Sequence, residues 1–124
     1  MLSQGVEASV VPSSGWTLQE LLRQLQGPPE DHFLKPERVQ EELRAMLGWR
    51  GIVNFRAIDH VRRFPTAEVA SRFADYVSAF AQETGQLAVV VQTLEHVTVT
   101  LTGRHPGGHL GITRAVLDFA KRLG

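Results

Sequence analysis

The sequence predicts an α+β domain in which a four-stranded antiparallel sheet carries helices on one face. Polar and apolar residues alternate strictly over residues 96–102, which is the pattern of a strand with two different faces. Residues 87–91 form a continuous apolar run, which is typical of a strand covered on both faces. From residue 36 the predicted element order is α-β-β-α-β-β-α, and this order favours an antiparallel sheet with helices packed on one side.

Composition limits the classes of protein to which the chain can belong. Its 124 residues suit one domain that buries its own core, and the absence of Cys excludes disulfides, thiol catalysis and Cys-based zinc sites. Thirteen basic and thirteen acidic residues cancel, so we expect no general attraction to nucleic acid or to an anionic membrane. No apolar run is long enough to span a bilayer. The absence of Cys suits a cytoplasmic protein, and no cofactor is predicted.

The first 35 residues are predicted to lie outside the main domain. Residues 1–16 are small and polar without the features of a secretory signal, and we expect a flexible tail. Residues 17–35 are predicted to form an extra helix and a linker, with Thr17 and Glu20 at the spacing of a capping box. Its apolar stripe contains Leu18, Leu21, Leu22 and Leu25. Two roles stay open: packing on the domain, or offering these leucines to a partner.

Residues 36–124 contain the predicted domain. Pro36 begins a helix that Gly48 ends, and strands are predicted over residues 49–53 and 57–64. A long helix then begins at Pro65 or Thr66 and ends at Gly85. The strands over residues 87–91 and 96–102 follow, and an amphipathic helix closes the domain.

Short sequence fragments at fixed spacing connect this domain to a known family. They are Gly48-Trp49, Ala57-Ile58, Phe64, the strand Val97-Thr98-Val99-Thr100-Leu101 and the pair Gly107-Gly108. With this spacing the domain resembles the pterin-4a-carbinolamine dehydratase family over roughly residues 36–124. The resemblance implies a four-stranded sheet with helices on one side, and association into dimers or tetramers.

The resemblance also identifies the positions at which the family carries its catalytic residues. The family's His-His-Pro motif reads Gln86-Leu87-Ala88 here, its later His reads Arg104, and its acidic position falls near Ala115. Dehydration of a carbinolamine needs groups that gain and lose a proton near neutral pH, and imidazole suits this role. A carboxamide, an alkyl chain and a guanidinium do not exchange protons readily near neutral pH. We therefore expect no catalytic residue at these positions.

The loop over residues 104–111 contains the remaining candidate ligand-binding residues. Arg104, His105 and His109, together with Gln86, are candidates for binding a pterin or another anion, because cations and free N–H groups attract anions. The alternative is a polar turn whose glycines supply positive φ angles. His105 and His109 lack a clear third ligand, so no metal site is predicted. His60 and His96 are expected on solvent-facing strand positions.

Three functions stay open at this point. The preferred one is a dehydratase-like domain without activity that binds or assembles proteins, since some family members act as dimerisation cofactors of a transcription factor and one branch resembles a Rubisco assembly chaperone. The alternatives are a divergent 4a-hydroxytetrahydrobiopterin dehydratase that uses His105 or His109, and a sensor of pterins or anions. The binding function predicts a closed catalytic cleft and an apolar surface elsewhere.

Four arginines offer a further candidate surface. Arg50, Arg56, Arg62 and Arg63 either form a basic stripe for a partner or belong to a solvated sheet face.

Overall fold

The computed structural model describes residues 9–12, 17, 19–20, 23, 33–104 and 109–124. Among these residues, three helices and six strands have defined bounds. They are β1 (Ser9–Pro12), α1 (Pro36–Leu43), β2 (Trp49–Ile52), β3 (Ala57–Arg63), α2 (Ala67–Thr84), β4 (Leu87–Thr93), β5 (His96–Arg104), β6 (Leu110–Gly111) and α3 (Arg114–Leu123).

The sheet is antiparallel throughout, and its strand order is β1-β4-β5-β3-β2, with β6 paired to the end of β5. The four predicted strands correspond to β2, β3, β4 and β5, which confirms the predicted α+β class. The predicted number of strands is too low, because β1 pairs with the edge of β4 and β6 pairs with β5. Both additions satisfy backbone groups that strands β4 and β5 would otherwise leave unpaired.

Ser9–Pro12 form a strand where the sequence predicts a flexible tail. Val10 pairs with Val91 and Val11 with Val90, so β1 extends the sheet beyond β4. Local composition did not reveal this pairing, because it depends on a strand almost eighty residues away. The other residues of the predicted tail lie outside the described part of the chain.

The capping box that the sequence predicts at residue 17 is confirmed. The Thr17 N–H donates to Glu20 Oε1 at 2.9 Å, and the Glu20 N–H donates to Thr17 Oγ1 at 3.1 Å. The backbone hydrogen bond from Thr17 holds the pKa of Glu20 below its usual value. Gln19, Glu20 and Arg23 are helical, whereas the leucine stripe of this segment lies outside the described residues.

The helix boundaries follow from capping residues. Thr66 and Thr113 cap α2 and α3, and each side-chain oxygen accepts a hydrogen bond from the N–H three residues later. Pro36 occupies the first turn of α1. Gly85 ends α2 with a left-handed φ of 76°, as predicted.

The two faces of the sheet contribute to separate apolar clusters. All three helices pack with one face, which supplies Trp49, Ile58, Val90, Val99 and Leu101 to the main core. The opposite face contains a smaller buried cluster of Ala57, Leu87, Val89 and Leu110. The helices therefore lie on one face, as predicted, and any cleft between them opens on that side of the molecule.

His60 occupies a different environment from the one expected. It is half-buried, its ring lies 5.0 Å from the Trp49 ring, and a Cβ at Gly48 would come within 2.5 Å of its Nε2. Burial, aided by the charge of Arg62, lowers its pKa and so favours the neutral ring. The prediction of a solvent-facing side chain is wrong for His60 and correct for His96, which is exposed.

The four arginines do not form a stripe. Arg56 is buried and donates to the Leu110 carbonyl at 3.1 Å, while Arg50 forms an ion pair with Asp59 at 2.7 Å. Arg62 lies over the Phe73 ring on the helical side, and Arg63 pairs with Glu95. Because each arginine has its own local partner, the interpretation as a shared basic surface is wrong.

Candidate functional site

A cleft opens where the carboxyl end of α2 meets α3. Its volume is about 290 Å³, and it is lined by Thr84, Gly85, Gln86, Ala115, Asp118, Phe119 and Arg122. This volume lies just below the usual range for small-molecule sites. The cleft brings together the two regions that the resemblance indicated, Gln86 and the neighbourhood of Ala115.

A helix-terminating motif positions Gln86 at the cleft. The N–H of Gly85 donates to the carbonyls of Ala81 and Gln82, and the N–H of Gln86 donates to the Ala81 carbonyl at 2.9 Å. This pattern turns the chain sharply from α2 into β4. Gln86 is therefore held by the backbone before its side chain makes any contact.

The carboxamide of Gln86 is bound to the fold itself. Its Nε2 donates to the carbonyl of Leu87 at 2.9 Å and to the carbonyl of Thr102 at 2.8 Å. Both hydrogens of the amide nitrogen are used in these two bonds. The side chain consequently joins the start of β4 to β5, and its donors do not point to a ligand.

Two charged cleft residues were not identified from the sequence. Asp118 and Arg122 lie one turn apart on α3 and line the cleft next to Phe119, whose ring stacks on that of Phe80 at 4.7 Å. Counting along a helix from Ala115 by three and seven positions would have found them. The cleft therefore offers a carboxylate and a guanidinium.

The other predicted site residues do not assemble around this cleft. Leu87 is buried in the smaller cluster on the opposite face of the sheet. Arg104 ends β5 and His109 precedes β6, and both are exposed. His105 and the pair Gly107-Gly108 lie outside the described residues. Of the four candidate ligand-binding residues, only Gln86 lines the cleft among the residues that the structure describes.

The cleft itself departs from what the binding function predicted. It is open, whereas we expected a filled cavity. Its described lining contains no imidazole, which a divergent enzyme would require beside Gln86. Among the described residues, no group of three or more His, Asp or Glu side chains is arranged to hold a metal ion.

A partly exposed aromatic surface runs along α2. It consists of Phe64, Phe73, Tyr76 and Phe80, which we call the aromatic surface. Successive ring centres lie 5.0, 6.5 and 6.1 Å apart, and Tyr76 is 55% exposed. Large aromatic side chains in such contact are typical of protein interfaces.

Comparison with known proteins gives the fold. No protein-family model and no curated protein matches the chain. Among solved structures, the chain is similar to a transcriptional coactivator/pterin dehydratase from Brucella melitensis, with a TM-score of 0.63 and 23% sequence identity. The match covers 73% of this chain and 94% of that one. The chain therefore has a pterin dehydratase-like fold, as predicted.

None of the helices in the described part of the chain has the length and apolar character needed to cross a membrane.

Proposed function

We propose that the protein is a non-catalytic relative of the pterin carbinolamine dehydratases that acts in the cytoplasm as a protein-binding or assembly module. The contacts of Gln86 carry the proposal. At the position that corresponds to the family's first catalytic histidine, a carboxamide donates both hydrogens of its nitrogen to backbone carbonyls of β4 and β5. A group used in this way stabilises the fold and has no proton to exchange near neutral pH.

The residues at the family's other catalytic positions support the same proposal. Leu87 replaces the second histidine of the family motif and lies on the far side of the sheet from the cleft. Arg104 occupies the position of the later histidine, and a guanidinium is a poor general acid or base. The loss of a general acid or base lowers a rate by roughly two to four orders of magnitude, and several losses at one site leave little beyond the background rate.

The rate of dehydration of 4a-hydroxytetrahydropterin tests the proposal. We expect the purified protein to show the background rate, and the double variant His105→Ala, His109→Ala to show the same rate. A rate well above background that collapses in the double variant would instead establish a divergent dehydratase that uses the loop over residues 104–111.

The aromatic surface supports self-association as part of this function. The proposed homo-oligomer pairs α2 helices of two or more copies, which would cover Tyr76 and the edges of Phe73 and Phe80. Sedimentation equilibrium of Tyr76→Glu tests this arrangement. Leu94→Glu is the control, because it also replaces an exposed, largely apolar side chain with a carboxylate. Dissociation by Tyr76→Glu alone is expected, and equal masses for both variants would refute it.

Ligand binding without turnover is a second candidate function, because the cleft is open and contains Arg122. A guanidinium beside the stacked ring of Phe119 suits an anionic or planar ligand such as a pterin. Titration with 7,8-dihydrobiopterin, in the parent chain and in Arg122→Gln, tests it. Saturable binding to the parent chain that is lost in Arg122→Gln would support a sensor. Binding that Arg122→Gln leaves unaltered, or no binding to the parent chain, would contradict it.

A further inference from the structure

The face of the sheet opposite the three helices, which we call the outer face, is buried at one end and exposed at the other. On β4, Val89 is fully buried, whereas Val91 two residues later is half-buried. On β5, Thr100 is 2% exposed, whereas Thr98 is half-buried and His96 is exposed. These residues share one face, because Val89 pairs with Thr100 and Val91 with Thr98. A further part of the chain therefore covers the end at Val89 and Thr100.

Little of this cover comes from the described residues. Helices α1, α2 and α3 pack on the other face, with the main core. Among the described residues, the cluster on the outer face contains one side chain from outside strands β2 to β5, that of Leu110 in β6. Strand β6 pairs with β5 at Gly103 and Arg104, which lie beyond Thr100. The burial occurs within a single chain, so the cover belongs to the same chain.

The segment between β1 and α1 has the composition of such a cover. Its capping box at Thr17 begins a helix, and the described residues Gln19, Glu20 and Arg23 are exposed. At about 100° per residue these three polar residues lie on one side of the helix, and leucines occupy the opposite side. The leucines are Leu18, Leu21, Leu22 and Leu25. The helix therefore has one side suited to solvent and one suited to an apolar surface.

Both ends of this segment are attached near the buried end of the outer face. Pro12, the last residue of β1, pairs with Val89. At the other end, the Leu34 N–H donates to the carbonyl of Ile112 at 2.8 Å, directly after β6. A nine-residue helix is about 13 Å long, which exceeds the roughly 10 Å across three neighbouring strands. The segment is thus long enough to cross the sheet over Val89 and Thr100.

The other long stretches outside the described residues are poorer candidates for the cover. Residues 1–8 contain Met1, Leu2 and Val6 as their large apolar residues, and they enter β1 at Ser9, which pairs with Gln92 toward the exposed end. Residues 105–108 read His-Pro-Gly-Gly and contain no large aliphatic side chain. The leucine-rich segment has more apolar area than either stretch, and both of its ends lie at the correct place.

We infer that the outer face is a docking surface for an amphipathic helix, and that residues 17–25 of the same chain occupy it. The four leucines pack over Val89 and the methyl group of Thr100, while the polar side of the helix faces solvent. The inference does not depend on the proposed function, but it narrows it. Because the leucines are used within the chain, a partner has to bind elsewhere, for example on the aromatic surface.

Thiol accessibility in the full-length chain tests whether this end of the outer face is covered. Because the chain has no Cys, Thr100→Cys introduces a single thiol, and its rate of reaction with dithionitrobenzoate reports its exposure. His96→Cys is the reference, because it places a thiol at the exposed end of the same strand face. We expect the thiol of Thr100→Cys to react at least about tenfold more slowly than that of His96→Cys.

Two matched double variants then identify the cover. Leu21→Ser with Leu22→Ser removes two leucines, and Gln19→Ser with Arg23→Ser makes the same exchange on the exposed side of the helix. In the Thr100→Cys background, the leucine pair should raise the thiol reaction rate by about tenfold or more. The control pair should change that rate by less than about twofold, because its side chains already face solvent.

A second thiol position separates local uncovering from unfolding. Val99 is 2% exposed and lies in the main core on the helix side of β5, so the thiol of Val99→Cys should stay slow in the leucine pair. If both thiols accelerate, methyl NOEs in the parent chain decide the question. We expect NOEs between the methyl groups of Val89 and those of the leucines at positions 18–25.

Three results would overturn the inference. They are a thiol in Thr100→Cys that reacts as fast as that of His96→Cys, equal thiol rates in the leucine pair and the control pair, and Val89 methyl NOEs that reach only neighbours such as Leu87 and Leu110. A measured dehydration rate bears on the proposed function and leaves these outcomes unchanged.

Discussion

Helix α3 forms one wall of two concave surfaces, and the two differ in what their side chains contact. On one side, the cleft contains Gln86, whose amide hydrogens are bonded to backbone carbonyls. On the other side, a concave surface between α1 and α3 exposes Leu47, and Glu42 at its edge forms ion pairs with Arg38, Arg114 and Lys121. The comparison teaches that a cleft at the position of a family's catalytic site is not by itself evidence of catalysis, because its polar groups can be bonded to the fold itself.

The largest expected effect concerns the wall that both surfaces share. Leu117 on α3 is fully buried in the main core, so Leu117→Ala should destabilise the protein by about 2–5 kcal/mol through lost contacts and the cavity left behind. Urea unfolding measures this free energy. Leu94→Ala, at an exposed position, should change it by less than about 0.5 kcal/mol. Equal effects of the two substitutions would show that α3 is not held by this core.

The second prediction concerns the pH dependence of stability at Glu42, which pairs with the cation cluster of Arg38, Arg114 and Lys121. The hydrogen bond from Arg114 lowers the pKa of Glu42 to about 2 in the folded chain, from an ordinary value near 4.5. A lowered folded-state pKa stabilises the fold fully above pH 4.5, and this contribution is lost as pH falls toward 2. The Tm of Glu42→Gln should therefore lie below that of the parent at pH 7, and the difference should shrink between pH 4.5 and pH 2.

Glu68→Gln is the matched control for this experiment, because Glu68 also pairs with an arginine one turn away but both partners are exposed. Such a surface pair contributes little to stability. A Tm difference between parent and Glu42→Gln that stays constant from pH 7 to pH 2 would contradict the role assigned to the cation cluster.

The smallest expected effect concerns the charged residues of the cleft. Asp118 and Arg122 are exposed on α3, so Asp118→Asn and Arg122→Gln should each change the free energy of unfolding by less than about 0.5 kcal/mol. Urea unfolding under the conditions used for Leu117→Ala checks this. A loss above about 1 kcal/mol would mean that Asp118 and Arg122, like Gln86, stabilise the fold.

Most of the fold could be predicted because its signals are local. Thr66 and Gly85 set the ends of α2, and the alternation over residues 96–102 identified β5. The pairing of β1 with β4 was missed, because no short window contains both strands. The burial of Arg56 and His60 was missed for the same reason, since each depends on contacts with distant residues such as Leu110 or Trp49.

The candidate site was predicted less well than the fold. The position of Gln86 came from the resemblance, but the two carbonyls that bind its amide became visible only when β4 and β5 were seen side by side. Asp118 and Arg122 were missed because the resemblance indicated Ala115 and not the residues one and two turns later. A pattern in one sequence identifies which residues lie on a helix, and the packing of two helices decides which of them line a cleft.

The most direct test of the central claim measures stability and dehydration rate together in Gln86→Leu, with Gln82→Leu as an exposed control in the last turn of α2. If Gln86 joins β4 to β5, its loss should lower the free energy of unfolding by about 1–3 kcal/mol and leave the dehydration rate at the background of the parent chain. Gln82→Leu should change neither quantity. A parent rate well above background that Gln86→Leu abolishes without loss of stability would make Gln86 a catalytic residue and contradict the account.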